Sequence, residues 1–151
     1  YKRALNGGEG KYGFLDIIKN YKGTTAAKLA TYSAGMAYLN IKDYQNAIVY
    51  LDQFNSEDVL LGALAKGAIG DAFAQMGQLE EAFDYYVTAS NINNNMYSTP
   101  KFLYKAAMIG SKLGKDSQAL TYLERIDKEF KESQEANMVA VQIAKLKSIL
   151  K

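Results

Sequence analysis

One spacing recurs along this chain and constrains its fold more than any other feature. Gly35 is followed three residues later by Tyr38 and twelve later by Ala47, and Gly70 is followed by Phe73 and Ala82 at the same offsets. Ala107 and Ala119 repeat the small–small pair, with Gly110 where the aromatic stands in the first two copies. The copies lie 35 and then 37 residues apart. Residues three apart share a helix face, so Gly35 and Tyr38 lie on one side of a first helix, and Ala47 lies on a second. Two antiparallel helices cross closely only where one side lacks bulk. Gly35, Gly70 and Ala107 supply that on the first helix of each unit, and Ala47, Ala82 and Ala119 on the second. Tyr38 and Phe73 fill the groove beside the contact. A helix–turn–helix unit of this length buries its apolar face only against its neighbours, which predicts a stack of helix pairs.

The rest of the chain agrees. There is one proline, Pro100, and no sustained apolar–polar alternation that would mark a strand. The expected fold is all-α, a right-handed α-α superhelix of about three helix pairs with opening and closing helices, forming one domain over residues 1–151. Residues 1–13 hold four glycines and read as a flexible opening, loop or frayed helix. Phe14, Leu15, Ile17, Ile18 and Tyr21 form a short amphipathic helix in 14–23, with Gly23 as its cap. The first pair occupies 25–55, with Asp43 capping its second helix, and Asn55-Ser56 breaks the chain. The second occupies 57–91, with Gly77 ending its first helix. Asn91-Ile92-Asn93-Asn94-Asn95 is the clearest linker. Thr99 as N-cap and Pro100 at the first helical position open the third pair, 99–131. Ser133 opens a closing helix, 133–151, that covers the last pair. Met138, Val141, Ile143 and Leu146 supply its apolar positions, and Lys145, Lys147 and Lys151 point outward.

The spaced residues resemble the signature of the tetratricopeptide repeat family: small, then aromatic, then small. The strongest match is Tyr32-Ser33-Ala34-Gly35-Met36-Ala37-Tyr38-Leu39 with Asp43-Tyr44-Gln45-Asn46-Ala47-Ile48. Thr31, Lys66 and Leu103 stand where that family often has Trp. The resemblance implies an inner, concave face built from fixed positions of each first helix. These are Leu29, Tyr32, Met36, Leu39 and Asn40 in the first repeat, then Leu64, Gly67, Asp71, Ala74 and Gln75 in the second. In the third they are Lys101, Tyr104, Met108, Ser111 and Lys112. It further implies a scaffold that binds a protein or peptide and carries no chemistry of its own. The expected contact residues are Tyr32, Met36, Asn40, Asp71, Gln75, Tyr104, Met108 and Lys112. Some members grip a terminal carboxylate with Lys and Asn on this face. Tyr32 and Met36, then Gly67 and Asp71, occupy those positions here, so that clamp is missing.

A narrower resemblance rests on Gly10-Lys11-Tyr12-Gly13-Phe14-Leu15-Asp16-Ile17-Ile18, then Tyr21-Lys22-Gly23-Thr24. This run is similar to the YfgM-like bacterial envelope group, whose repeats stand outside the cytoplasm behind an N-terminal membrane anchor. That group is associated with the protein translocon and with envelope chaperones. The resemblance implies a cell-envelope location, with translocon or chaperone components as partners. The chain begins at Tyr1 rather than Met, which fits a processed or excised piece with any leader or anchor upstream. A cytoplasmic location is the alternative expectation.

Composition excludes several function classes. Cys, His and Trp are all absent, so disulfide and thiol chemistry, a His-dependent triad and a His/Cys zinc site are not expected. Net charge is +2 with no block of like charge, which gives no electrostatic argument for nucleic acid. The longest apolar run, near Val59–Ala65, is short of the ~20 residues that cross a bilayer. Gly8-Glu9-Gly10-Lys11-Tyr12-Gly13 spells a dinucleotide-loop pattern, but only seven residues precede it and no strand is visible. Glu80, Glu81 and Asp84 read as helix-dipole compensation on a solvated face. No cofactor, metal or catalytic residue is expected; carboxylate-only chemistry needs a deep pocket with paired acids that the sequence does not show. Twelve tyrosines divide between packing and recognition, about two in three to packing. The runner-up to partner binding is self-association through the inner face or an exposed end of the solenoid.

Overall fold

The computed structural model describes residues 1–55 and 57–151. Ser56, read above as part of a chain break, lies outside them. Among the described residues there are nine helices and no strand. They are α1 (Lys2–Asn6), α2 (Phe14–Asn20), α3 (Thr25–Asn40), α4 (Tyr44–Gln53), α5 (Val59–Gln75), α6 (Leu79–Ile92), α7 (Thr99–Lys112), α8 (Asp116–Glu129) and α9 (Ala136–Ile149). Each helix packs on the next, and the pairs α3–α4, α5–α6 and α7–α8 stack as a right-handed superhelix. No helix of the described residues is long and apolar enough to cross a membrane.

Helix boundaries follow from local chemistry. Thr24 Oγ1 accepts from the Ala27 amide, Asp43 Oδ1 from Asn46, and Asp58 Oδ1 from both Leu60 and Leu61. Each satisfies an amide that the first turn leaves unpaired. The three turns within the pairs share one closure. The amides of Asp43, Gln78 and Lys115 donate to the carbonyls of Tyr38, Phe73 and Gly110, five residues back. The residue before each donor is left-handed: Lys42 (φ 65), Gly77 (φ 77) and Gly114 (φ 72). Glycine takes that conformation without strain, and lysine does not.

The periodic small residues are fully buried where the helices cross: Ala47, Ala82, Ala107 and Ala119 all have no exposed area. A Cβ at Gly35 would fall 2.5 Å from Leu51 Cγ of α4, and one at Gly70 would fall 2.8 Å from the Tyr86 ring of α6. The aromatic positions obey a second rule. Tyr38 stacks on Tyr50 and Phe73 on Tyr85, each twelve residues on, with centroids 5.2 and 5.4 Å apart. In the third pair Gly110 lacks the ring. Phe83 of α6 occupies that space, 2.9 Å from where a Cβ would stand, and Tyr122 turns to Phe83 instead.

Three expectations are adjusted. Residues 1–13, read as loop or frayed helix, contain α1, held because Leu5 is buried with Ala34 and Ala37 of α3. Thr99 does not cap α7. Ser98 holds that position, and Thr99 Oγ1 donates to the Asn93 carbonyl while accepting from the Asn95 amide. Asn95 completes this knot: Oδ1 accepts from the Tyr97 and Ser98 amides, and Nδ2 donates to the Asn93 carbonyl and Ser98 Oγ. The closing helix begins at Ala136, with Ser133 Oγ accepting from its amide. It buries Val139 and Leu146 against α8, with Ile143 half-buried, while Met138 and Val141 are exposed. The reason is register: Val139 stands 37 residues after Phe102, and Leu146 37 after Ile109. The last helix therefore repeats the facing of α7.

Candidate functional site

The first helices of the pairs, α3, α5 and α7, line one side of the molecule, and two open cavities lie along it. One, of 450 Å³, is lined by the ends of α3 and α5, including Asn40, Asp71 and Gln75, together with Tyr86 and Lys105. The other, of 580 Å³, lies between α7 and the start of α9 and is lined by Met96, Tyr97, Lys101, Tyr104, Lys105, Glu135 and Met138 among others. Lys105 lines both, so the two cavities lie side by side along this face, which we call the groove, with a charged ridge between them.

That ridge is built by three helices. Lys105 of α7 pairs with Asp71 Oδ1 of α5, and Tyr86 of α6 donates its hydroxyl to the same oxygen at 2.6 Å. Lys105 Nζ also lies over the Tyr86 ring, 5.4 Å from its centroid. Burial is the main reason that the Tyr86 hydroxyl is held well above its ordinary pKa, and the Asp71 carboxylate adds to it by hydrogen bond and charge. The phenol therefore stays a donor, and the Asp71 side chain is held in place by Tyr86 and Lys105. Further ion pairs join neighbouring units outside the groove: Lys66 with Asp52, and Lys115 with Glu80. Glu80 is thus a packing partner within a solvated helix start.

The groove brings together Asn40, Asp71, Gln75 and Tyr104 of the residues expected from the sequence. Asn40 donates its side-chain amide to the Met36 carbonyl at 2.7 Å. Tyr32 and Met36 are half-buried against the Leu51–Phe54 cluster, and Tyr32 meets the Phe54 ring at 5.2 Å. Burial raises the Tyr32 hydroxyl pKa, with nearby Tyr97 adding to the shift. Met108 packs on the cluster around Leu103 and Leu123. Lys112 is exposed at the end of α7 and lines neither cavity. Gly67, placed on the inner face by register, is buried under the Phe102 ring.

The residues that the register argument overlooked are Met96, Tyr97, Lys105, Glu132, Glu135 and Met138. Tyr97 is 70% exposed at the mouth of the larger cavity. Its signal was Met-Tyr inside an otherwise polar Asn-rich linker. The signal for Lys105 was its distance of 34 residues from Asp71, close to one repeat. No group of three or more His, Cys, Asp or Glu among the described residues could hold a metal ion.

The tetratricopeptide repeat model matches residues 30–57 and 63–96. The match falls on the first two helix pairs, α3–α6, which are similar to tetratricopeptide repeats, and α7–α8 continues the same architecture beyond the matched residues. Repeats of this kind generally mediate protein–protein interaction and are typically non-catalytic scaffolds. A search among curated proteins finds no match.

Proposed function

We propose that this protein is a non-catalytic interaction scaffold that holds a peptide or partner helix along the groove formed by α3, α5, α7 and the start of α9. The observation that carries this reading is that the two cavities lie side by side on either side of Lys105, with exposed Met96 and Tyr97 at one end and the amides Asn40 and Gln75 at the other. Exposed aromatic and methionine side chains supply contact area, and fixed polar groups supply register. The ridge pair is already satisfied within the chain, so a partner does not have to order it. The resemblance of residues 10–24 to the YfgM-like group supports a finer reading: an ancillary factor of envelope protein translocation or chaperoning, on the periplasmic side of a bacterial cell.

The test is paired affinity capture from the source cell, using the parent and a Tyr97→Ala/Lys101→Glu form, read by mass spectrometry. Both side chains are exposed, so the melting temperature stays within about 1 °C, in line with surface substitutions. Partners recovered by the parent and lost by the variant support the groove. Equal recovery by both refutes it. Translocon or chaperone components among the lost partners support the envelope reading, and fractionation of the protein with the cytoplasm overturns it.

A further inference from the structure

The two cavities of the groove leave opposite charges unspent. The smaller one has Asp71 as its single lining carboxylate, and Lys105 and Tyr86 already hold it. Lys42 also lines this cavity and forms no ion pair among the described residues. Asp43, next in the chain, is turned to Asn46 instead. An unpaired ammonium therefore stands beside the side-chain amides of Asn40 and Gln75. The larger cavity has the reverse balance. Glu132 and Glu135 line it, and neither forms an ion pair among the described residues. Lys105 is taken by Asp71, which leaves Lys101 as the one unpaired ammonium against two carboxylates. Met96, Tyr97, Tyr104 and Met138 give this cavity its apolar surface.

The backbone at Lys42 is a second, independent observation. Its φ is 65, where the matching turns place Gly77 and Gly114. A side chain in that conformation costs stability, and strain of this kind gathers at positions that bind or switch. Here the residue that carries the strain is the one that supplies the smaller cavity with its free charge.

We infer that the groove takes a segment of defined direction: an acidic residue against Lys42, then a large apolar residue against Met96 and Tyr97 and a basic residue against Glu132 and Glu135. Complementary charge at the two ends sets the register and rejects the reversed arrangement. This rests on the groove reading under Proposed function and adds the partner's charge pattern to it.

Panning a random dodecapeptide display library on the full chain should enrich sequences with Asp or Glu on one side of a large apolar residue and Lys or Arg on the other. The most enriched peptide, made with a fluorophore and titrated by anisotropy, should bind Lys42→Gly about three- to fivefold more weakly than the parent, the upper range for one exposed ion pair. That variant melts at or above the parent, so lost affinity is not lost folding. Glu132→Gln/Glu135→Gln should weaken the same peptide to at least that extent. The exchange Lys42→Glu/Glu132→Lys/Glu135→Lys should instead prefer the peptide with its acidic and basic residues interchanged. Met96→Ala/Tyr97→Ala, which leaves every charge in place, tests the groove itself. A peptide lost by that variant but unmoved by Lys42→Gly or by Glu132→Gln/Glu135→Gln overturns the inference and leaves the groove standing, as does an exchange that keeps the original preference. A peptide that binds Met96→Ala/Tyr97→Ala as it binds the parent, or a library that yields no binder, overturns both.

Discussion

Alanine at two glycines of α5 should move stability in opposite directions. Gly62 and Gly67 both lie within Val59–Gln75. A Cβ at Gly62 meets no heavy atom within 4 Å. Gly62→Ala therefore narrows the unfolded ensemble and improves helix propensity, a gain of about 0.5–1 kcal/mol. A Cβ at Gly67 falls 2.0 and 2.1 Å from Cε1 and Cζ of Phe102. Normal carbon contact is about 3.5–4.0 Å, so the ring must retreat by about 1.5 Å. Phe102 is 2% exposed and stacked on Tyr86 with centroids 6.5 Å apart, so its retreat disturbs the α6–α7 contact. Overpacking of this kind costs about 1–3 kcal/mol. Set against the same propensity gain, the net loss centres on about 1 kcal/mol and reaches at most about 2.5 kcal/mol. At roughly 2–4 °C per kcal/mol for a domain of this size, Gly62→Ala should raise the melting midpoint by about 1–4 °C. Gly67→Ala should lower it by about 2–4 °C, by the same conversion applied to the central loss. Circular dichroism melts of both variants decide the matter. A Gly67→Ala protein that melts at or above the parent refutes the argument from close approach.

Lys42→Gly should stabilise by about 0.5–1 kcal/mol, because it relieves the left-handed strain that Gly77 and Gly114 avoid in the matching turns; an unchanged urea midpoint counts against this. Ala47→Leu and Ala82→Leu should each cost about 1–3 kcal/mol, since both sites have no exposed area, and chemical denaturation measures it. The Tyr86 hydroxyl is raised in the fold, so its contribution is fully present below the unfolded value near pH 10 and is lost as pH rises beyond it. Tyr86→Phe should be less stable than the parent at neutral pH, and the gap should narrow in melts taken above pH 10.

Most of the architecture was legible because repetition amplifies weak signals. The small–aromatic–small spacing placed α3 through α8, and Asp43 and Gly77 marked two of their ends. α1 escaped because five residues are too few to show periodicity, and its anchor, Leu5, is a single side chain. α9 was legible as a helix but not in its facing: alternative apolar sets, Val139 with Leu146 or Val141 with Met138, fit one amphipathic segment, and packing on α8 selects the first. The inner face was readable by register at Asp71, Gln75 and Tyr104. Tyr32 carries the same register yet packs on Phe54, because the neighbouring α4 ends in an aromatic there. Lys105 and Tyr97 left only faint signals, since one is defined by a partner on another repeat and the other by a loop fold set by Asn95.

The asparagine knot before α7 has a mechanical consequence. The third unit stands two residues farther along the chain than a strict 35-residue repeat would put it, and slack of that kind ordinarily makes a hinge. Here Asn93, Asn95, Ser98 and Thr99 bind the slack into hydrogen bonds, so the joint is stiff. The distance from the Gln75 end of the groove to Tyr97 is thereby fixed in advance. On the proposed reading the groove would work as a gauge: a guest whose anchors match that length would seat without bending the host, and one of the wrong length could not stretch it.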